Sequence, residues 1–142
     1  MNFVLDTNVL VAAVRSPSGA SAEILRQSIK GKFGVLCSVP MFLEYESVLL
    51  RPEQLLAAKV NAKDVINLLN VVAGIVQRVD IQFMWRPQLR DPNDDMVLEL
   101  AVNGLGVGKP VSIVTTNLKD FEPQAGSFGI KVMTPRQFFQ GD

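Results

Sequence analysis

Short runs rich in β-formers, at residues 2–6, 35–38, 111–115 and 130–133, alternate with stretches of helical periodicity, and the joins between them are short. That alternation constrains the chain more than any other feature. Neighbouring parallel strands need a crossover between them, and a helix is the usual crossover. The pattern therefore predicts a parallel sheet with helices on both faces.

The local signals agree. A helix over 7–14 follows the first strand directly, with Asp6 or Thr7 available to cap it. Ser16-Pro17-Ser18-Gly19 breaks the chain, and a second helix from about residue 20 to 30 carries Ile24, Leu25 and Ile29 on one side. Ser38 can cap a helix with Pro40 in its first turn and Phe42, Tyr45 and Leu49 at helical spacing. Arg51-Pro52 ends or bends it, and a further helix over 63–77 uses Val65, Leu68, Leu69, Val72 and Val76. Residues 78–83 read as a short strand and 84–89 as a loop. Asp91-Pro92-Asn93-Asp94 has the form of a helix start, and that helix runs, almost wholly apolar, to Gly104. Residues 134–139 read as a terminal helical turn. The expected fold is one domain over 1–142: a three-layer α/β sandwich around a mainly parallel sheet of four to five strands.

Composition excludes much chemistry. The chain has no histidine, so Ser-His-Asp, Cys-His, His-zinc and paired-histidine ribonuclease machinery are all out. One cysteine, Cys37, allows neither an intrachain disulfide nor a cysteine-rich zinc site. No G-x-x-x-x-G-K-[ST] or G-x-G-x-x-G occurs; Gly104-Leu105-Gly106-Val107-Gly108 reads as a helix-to-strand turn. Fourteen basic residues balance fourteen acidic ones, which argues against the global basic field of a tight duplex-DNA binder. The start of the chain has no signal-peptide pattern, and the longest apolar stretches, such as 68–76, are far too short to span a membrane. The expectation is a cytoplasmic protein.

What remains is carboxylate chemistry. Asp6 closes the first strand, Glu44 lies in the second turn of the helix after the second strand, and Asp94 and Asp95 stand in the first turn of a helix. Asn117 and Asp120 follow the strand at 111–115. In a parallel sheet, strand ends and the starts of the following helices share one edge, so these groups can converge. Crowded carboxylates repel one another unless a cation neutralises them, and Mg²⁺ and Mn²⁺ favour oxygen ligands. Each residue also has a plain role: Asp6 as a helix cap, Glu44 and Glu46 as solvated helix residues, Asp91 and Asp94 as helix-dipole partners. Thr7, Asn8 and Thr116 can orient ligands or simply satisfy backbone groups. Arg15, Arg51, Arg86 and Arg90 are candidates for phosphate contact, and Phe83 and Trp85 for stacking or packing.

Taken in order, Leu5-Asp6-Thr7-Asn8-Val9-Leu10, Leu43-Glu44-Tyr45-Glu46-Ser47-Val48-Leu49, Arg51-Pro52, Arg90-Asp91-Pro92-Asn93-Asp94-Asp95, Val114-Thr115-Thr116-Asn117-Leu118-Lys119-Asp120-Phe121 and Thr134-Pro135-Arg136-Gln137-Phe138 resemble the PIN-domain nucleases, particularly the toxins of toxin–antitoxin pairs. The resemblance covers nearly the whole chain. It implies an Mg²⁺- or Mn²⁺-dependent endoribonuclease acting on single-stranded or looped RNA by hydrolysis to a 5′-phosphate and a 3′-hydroxyl. Asp6, Glu44 and Asp95 match the family's three principal acids and would carry the metal. Relatives often have an acid where this chain has Asn117, with another three positions on, at Asp120; both are retained, with Asp120 as the fourth catalytic acid. Asn8, Asp94, Thr116 and Asn117 are auxiliary. A cognate antitoxin and a homodimer are the implied partners.

Two rival readings use the same residues. A phosphatase with Asp6 as nucleophile would want a second aspartate two positions on, where Asn8 stands. A PIN-like module that binds RNA or protein without cutting is the other, kept open by Asn117.

Overall fold

The structure, a computed structural model, describes residues 1–82, 89 and 91–140, apart from the side chains of Pro92, Asn93 and Val107. The expectations placed on Phe83, Trp85, Arg86 and Arg90 fall outside these residues. Five strands, β1 (Asn2–Leu5), β2 (Gly34–Cys37), β3 (Gln77–Arg78), β4 (Val111–Val114) and β5 (Lys131–Met133), form one sheet in the order β3-β2-β1-β4-β5. Every pairing is parallel. Around it stand α1 (Thr7–Arg15), α2 (Ala20–Ile29), α3 (Val39–Leu49), α4 (Pro52–Ala58), α5 (Ala62–Ile75), α6 (Pro92–Gly104), α7 (Gln124–Ser127) and α8 (Pro135–Gln140). The three-layer α/β arrangement expected from the alternation is the one found.

The central strands explain their own sequences. All four residues of β1 and all four of β4 are buried, as covered parallel strands require, and so they read as mostly apolar runs, interrupted by Asn2 and Ser112, rather than as alternation. Phe3 meets Phe33 and Phe138 edge-on at ring separations of 5.1 Å, which fastens α8 to the sheet. Gly34 lies opposite Asn2, where a β-carbon would collide with the Asn2 carboxamide. At the other end of β1, the Tyr45 hydroxyl donates to the Leu5 carbonyl at 2.5 Å and ties α3 to the strand.

The elements depart from expectation at Pro52, at both ends of the helix that follows it, and at α7, a single turn that the sequence did not announce. Pro52 does more than end a helix. It sits at the first position of α4, because the pre-proline residue Arg51 is extended and proline's fixed φ suits a helix start. The helix expected over 63–77 starts at an Asn61 capping box and stops at Ile75. Gln77 and Arg78 then pair with Leu36 and Cys37, so β3 begins earlier than residue 78 and is two residues long. Among the described residues, no helix is long and apolar enough to cross a membrane.

The strand order decides where a site can lie. From β1 the chain steps outward through β2 to β3, then returns to the far side of β1 for β4 and β5. The direction of winding therefore reverses between β1 and β4. A crevice opens at such a point beyond the carboxyl ends of the strands. Asp6 directly follows β1, and Thr115 directly follows β4.

Candidate active site at the switch point

Asp6 is 8% exposed. It caps α1, its Oδ1 accepting the Thr7 N–H at 2.8 Å, while its Oδ2 accepts the Thr115 hydroxyl at 2.8 Å. Burial pushes its carboxyl above the ordinary value of 3.8, the Thr115 and Thr7 bonds oppose that, and the charge of Asp120 adds to it. Asp6 is thus both a cap and a strained charge; the two roles do not compete.

Thr115 is the hub that sequence reading missed. It is fully buried, and its Oγ1 also accepts the Asn117 N–H at 3.1 Å and the Asn8 Nδ2 at 3.4 Å. Asn8 in turn accepts the Thr116 N–H at 3.2 Å through Oδ1. A web of short bonds therefore locks the end of β4 against the start of α1. The role follows from strand pairing, which the sequence does not spell out: Leu5 lies opposite Val114, so the next residues, Asp6 and Thr115, are neighbours.

Asp94 is the most perturbed carboxylate at the site, pushed up to about 7. Burial contributes most, followed by Asp120, then Asp6, and only then its sequence neighbours Asp91 and Asp95. Charges on other elements outweigh those one and three residues away, so the Asp94 carboxylate faces the crevice. Asp95, 3% exposed, directs Oδ1 to the Leu89 N–H at 2.9 Å instead, pinning the approach to α6. Asp120 is exposed on the 3₁₀ turn Leu118–Asp120 and acts electrostatically on both Asp6 and Asp94. Thr116 and Asn117 are exposed beside it. Glu44 is half-buried on α3, next to the tethered Tyr45, and is not among the charges that weigh most on Asp6 or Asp94.

A cleft of about 380 Å³ runs past these acids, lined by Leu89, Asp94, Lys119, Asp120, Glu122 and Gln124. Lys119 is its one cationic side chain among the described residues. Arg15, by contrast, donates through Nε to the Gln54 Oε1 at 2.6 Å and joins α1 to α4. Among the described residues, no three acidic side chains form a ready-made metal cluster. Asp6, Asp94 and Asp120 are linked by charge, and their donors are all hard oxygens. Burial first and neighbouring charge second push Asp6 and Asp94 up, and a divalent cation relieves both, so the set suits Mg²⁺ or Mn²⁺ chemically.

Both the fold and the acids at the switch point define a recognisable class. The family model described as PIN domain matches residues 2–119, and the chain belongs to that family. Among solved structures it is similar to a chain of VapBC2 from Rickettsia felis, bound in that structure to a DNA fragment from their promoter. The two are 16% identical with a TM-score of 0.62, and the match covers 94% of this chain and 98% of the other, a likeness of fold. No curated protein matches the chain in sequence.

Proposed function

We propose that the chain is a divalent-cation-dependent endoribonuclease that hydrolyses single-stranded or looped RNA, as the toxin of a toxin–antitoxin pair. The observation that carries this reading is the gathering of Asp6, Asp94 and Asp120, three carboxylates from three elements, at the switch point of the sheet, where burial and then the charge of Asp120 push both Asp6 and Asp94 up. We assign the ion to these three. Asp95 acts as a positioning residue through the Leu89 N–H, and Glu44 contributes from α3 at the rim. When bound, Mg²⁺ or Mn²⁺ would offset carboxylate and phosphate charge and acidify a water.

The chain's own groups do the rest. Thr115 and the Thr7 N–H hold Asp6 in one orientation. Asn8 and Thr115 fix the backbone that carries Thr116 and Asn117. Lys119 supplies a cation for a substrate phosphate in a cleft otherwise lined by acids and neutral groups. The histidine-free composition suits in-line hydrolysis, which needs no imidazole to activate a 2′-hydroxyl. An antitoxin partner is supported by the kinship of fold with VapBC2.

The test is cleavage of a labelled single-stranded RNA with Mg²⁺, Mn²⁺ or EDTA, followed by end-group analysis. Metal-dependent cutting to 5′-phosphate ends is expected. Asp6→Asn and Asp94→Asn should each lower kcat by at least about 100-fold, and Asp95→Asn by less, since an amide oxygen can still accept from Leu89. A 2′,3′-cyclic phosphate product, or wild-type protein that binds RNA in metal and never cuts it, would sink the mechanism.

A further inference from the structure

A second cavity, its wall mostly apolar with a few hydroxyls and one arginine, opens where Thr116 and Thr134 follow β4 and β5. About 300 Å³ in volume, it lies between the end of α1, the start of α2 and the ends of β4 and β5. Ser16, Ser21, Thr116, Thr134 and Arg136 line it, and none of its lining residues is acidic. That composition is the inverse of the acidic cleft.

Three independent features mark it as an anion site. Arg136 is exposed at its wall and makes no ion pair among the described residues. The ten-residue helix α2 begins in the cavity with Gly19 as its cap, so no side chain covers its first N–H groups. A β-carbon at Gly19 would crowd the Ser16 Oγ at 3.2 Å and the Ser16 carbonyl at 3.3 Å, so the bare cap is also the one that fits. Uncapped helix starts favour phosphate oxygens. The third feature is Ser21, which is 6% exposed and lines the cavity, yet makes no hydrogen bond through its hydroxyl among the described residues. Ser28 on the same helix shows the usual arrangement, donating to the Leu25 carbonyl at 2.7 Å. The side chain is packed on its other sides, so its hydroxyl is reached from the cavity and is open to a partner from outside the chain. Thr134 accepts the Gln137 N–H through Oγ1, which leaves its own O–H free to donate.

We infer that this cavity is a phosphate subsite, formed by Arg136, Ser21, Thr116 and the start of α2, that holds a backbone phosphate of the RNA strand beside the one at the acids. The inference rests on the nuclease reading for its ligand. Its geometry follows from one short stretch of chain. Thr115 donates to Asp6, and Thr116, its neighbour at about 3.8 Å between Cα atoms, lines the cavity. Adjacent residues of one segment thus border both sites, so a strand whose scissile phosphate sits at the acids can run on past Thr116 into the cavity. The chain needs a cationic hold there, because its net charge is zero and no global field draws RNA toward a cluster of carboxylates.

The experiment has two arms. In the first, inorganic phosphate is titrated into wild type, Arg136→Gln and Ser21→Ala while backbone amide resonances are followed, with chloride at equal ionic strength as the control. Phosphate should move the Ala20, Ser21 and Thr116 signals in wild type, less in Ser21→Ala and hardly at all in Arg136→Gln. In the second, RNA binding is measured in EDTA. Arg136→Gln should weaken it about tenfold and flatten the salt dependence by about one ion, while Arg78→Gln on the far strand β3 leaves it unchanged. No phosphate-induced shift at these amides overturns the subsite, and so does equal loss of RNA affinity in both arginine variants. Phosphate shifts with undiminished RNA affinity in Arg136→Gln would assign the site to a free phosphate group and overturn its role for the strand. Shifts and Arg136-dependent RNA affinity in a protein that never cuts would count against the nuclease reading and leave the subsite standing.

Discussion

At the scale of single residues, the site depends on a threonine that carries no charge. Among the described residues, Thr115 is the one side chain that bonds to Asp6, the Asn117 backbone and Asn8 together. Thr115→Val keeps the shape and the β-branch of a strand residue but removes all three bonds. The Asp6 Oδ2 then loses the interaction that does most to hold its pKa down, and Asp6 rises further. Metal affinity or kcat should fall by about 10–100-fold, with the acidic limb of the pH–rate profile moved upward. Thr115→Ser should recover most of it; unchanged kinetics in the valine variant would show the hub to be dispensable. This scale is also where the sequence was least legible. Asp94 and Asp95 are adjacent, and on a helix neighbours point about 100° apart, so which one faces a cleft depends on how α6 docks. Nothing local encodes that. The ranking of charges around Asp94 and the Leu89 N–H on Asp95 are tertiary facts. Asp6 was legible because strand-end position and capping chemistry both point at it.

At the scale of elements, the terminal helix α8 has only six residues, too few to be stable alone. It is held by Phe138, whose ring packs edge-on against both Phe3 and Phe33 at 5.1 Å. Phe138→Ala should cost about 1–3 kcal/mol of stability, less than for a fully buried ring, measured by urea unfolding, and should release α8 from β5 before the rest of the sheet. Because Thr134, Pro135 and Arg136 line the phosphate cavity, the same substitution should weaken RNA binding without touching the acids. Equal protection of α8 amides from hydrogen exchange in variant and wild type would refute the anchoring role. Most elements were legible because independent signals agree: propensity and burial in β1, β4 and α2, with a side-chain cap as well in α3 and α5. The exceptions had competing signals. At Pro52 a stop and a start look alike until the next turn is seen to pack. At Gln77, strand pairing with β2 overrides the helical period that runs through Val76.

At the scale of the molecule, strand order was the invisible part. Hydrophobic runs reveal strands but not which neighbours they choose, and the switch point exists only because β4 returns to the far side of β1. The site built there links stability to pH and to metal. Asp94 has an ordinary value of 3.8 and is pushed up to about 7 in the fold. Between those values the folded chain holds a proton that the unfolded chain has released, so this group's effect on stability worsens as pH rises and is complete above the folded value. Below 3.8 both states are protonated and the penalty disappears. Asp94→Asn should therefore raise Tm at pH 8 by a few degrees, on the order expected for about 1 kcal/mol at this chain length, with the difference closing toward pH 4. Adding Mn²⁺ reverses the advantage, because the cation stabilises the ionised acids of the wild type and has lost a ligand in the variant. At about 100 times its Kd a ligand contributes roughly 2.7 kcal/mol, more than the repulsion it relieves. Thermal denaturation of both proteins at pH 5 and pH 8, with and without Mn²⁺, reads all four states. A wild-type Tm that Mn²⁺ leaves unmoved at pH 8 would remove the metal from this site, and an Asp94→Asn variant less stable than wild type in EDTA at pH 8 would show that burial and neighbouring charge do not penalise the ionised Asp94 there.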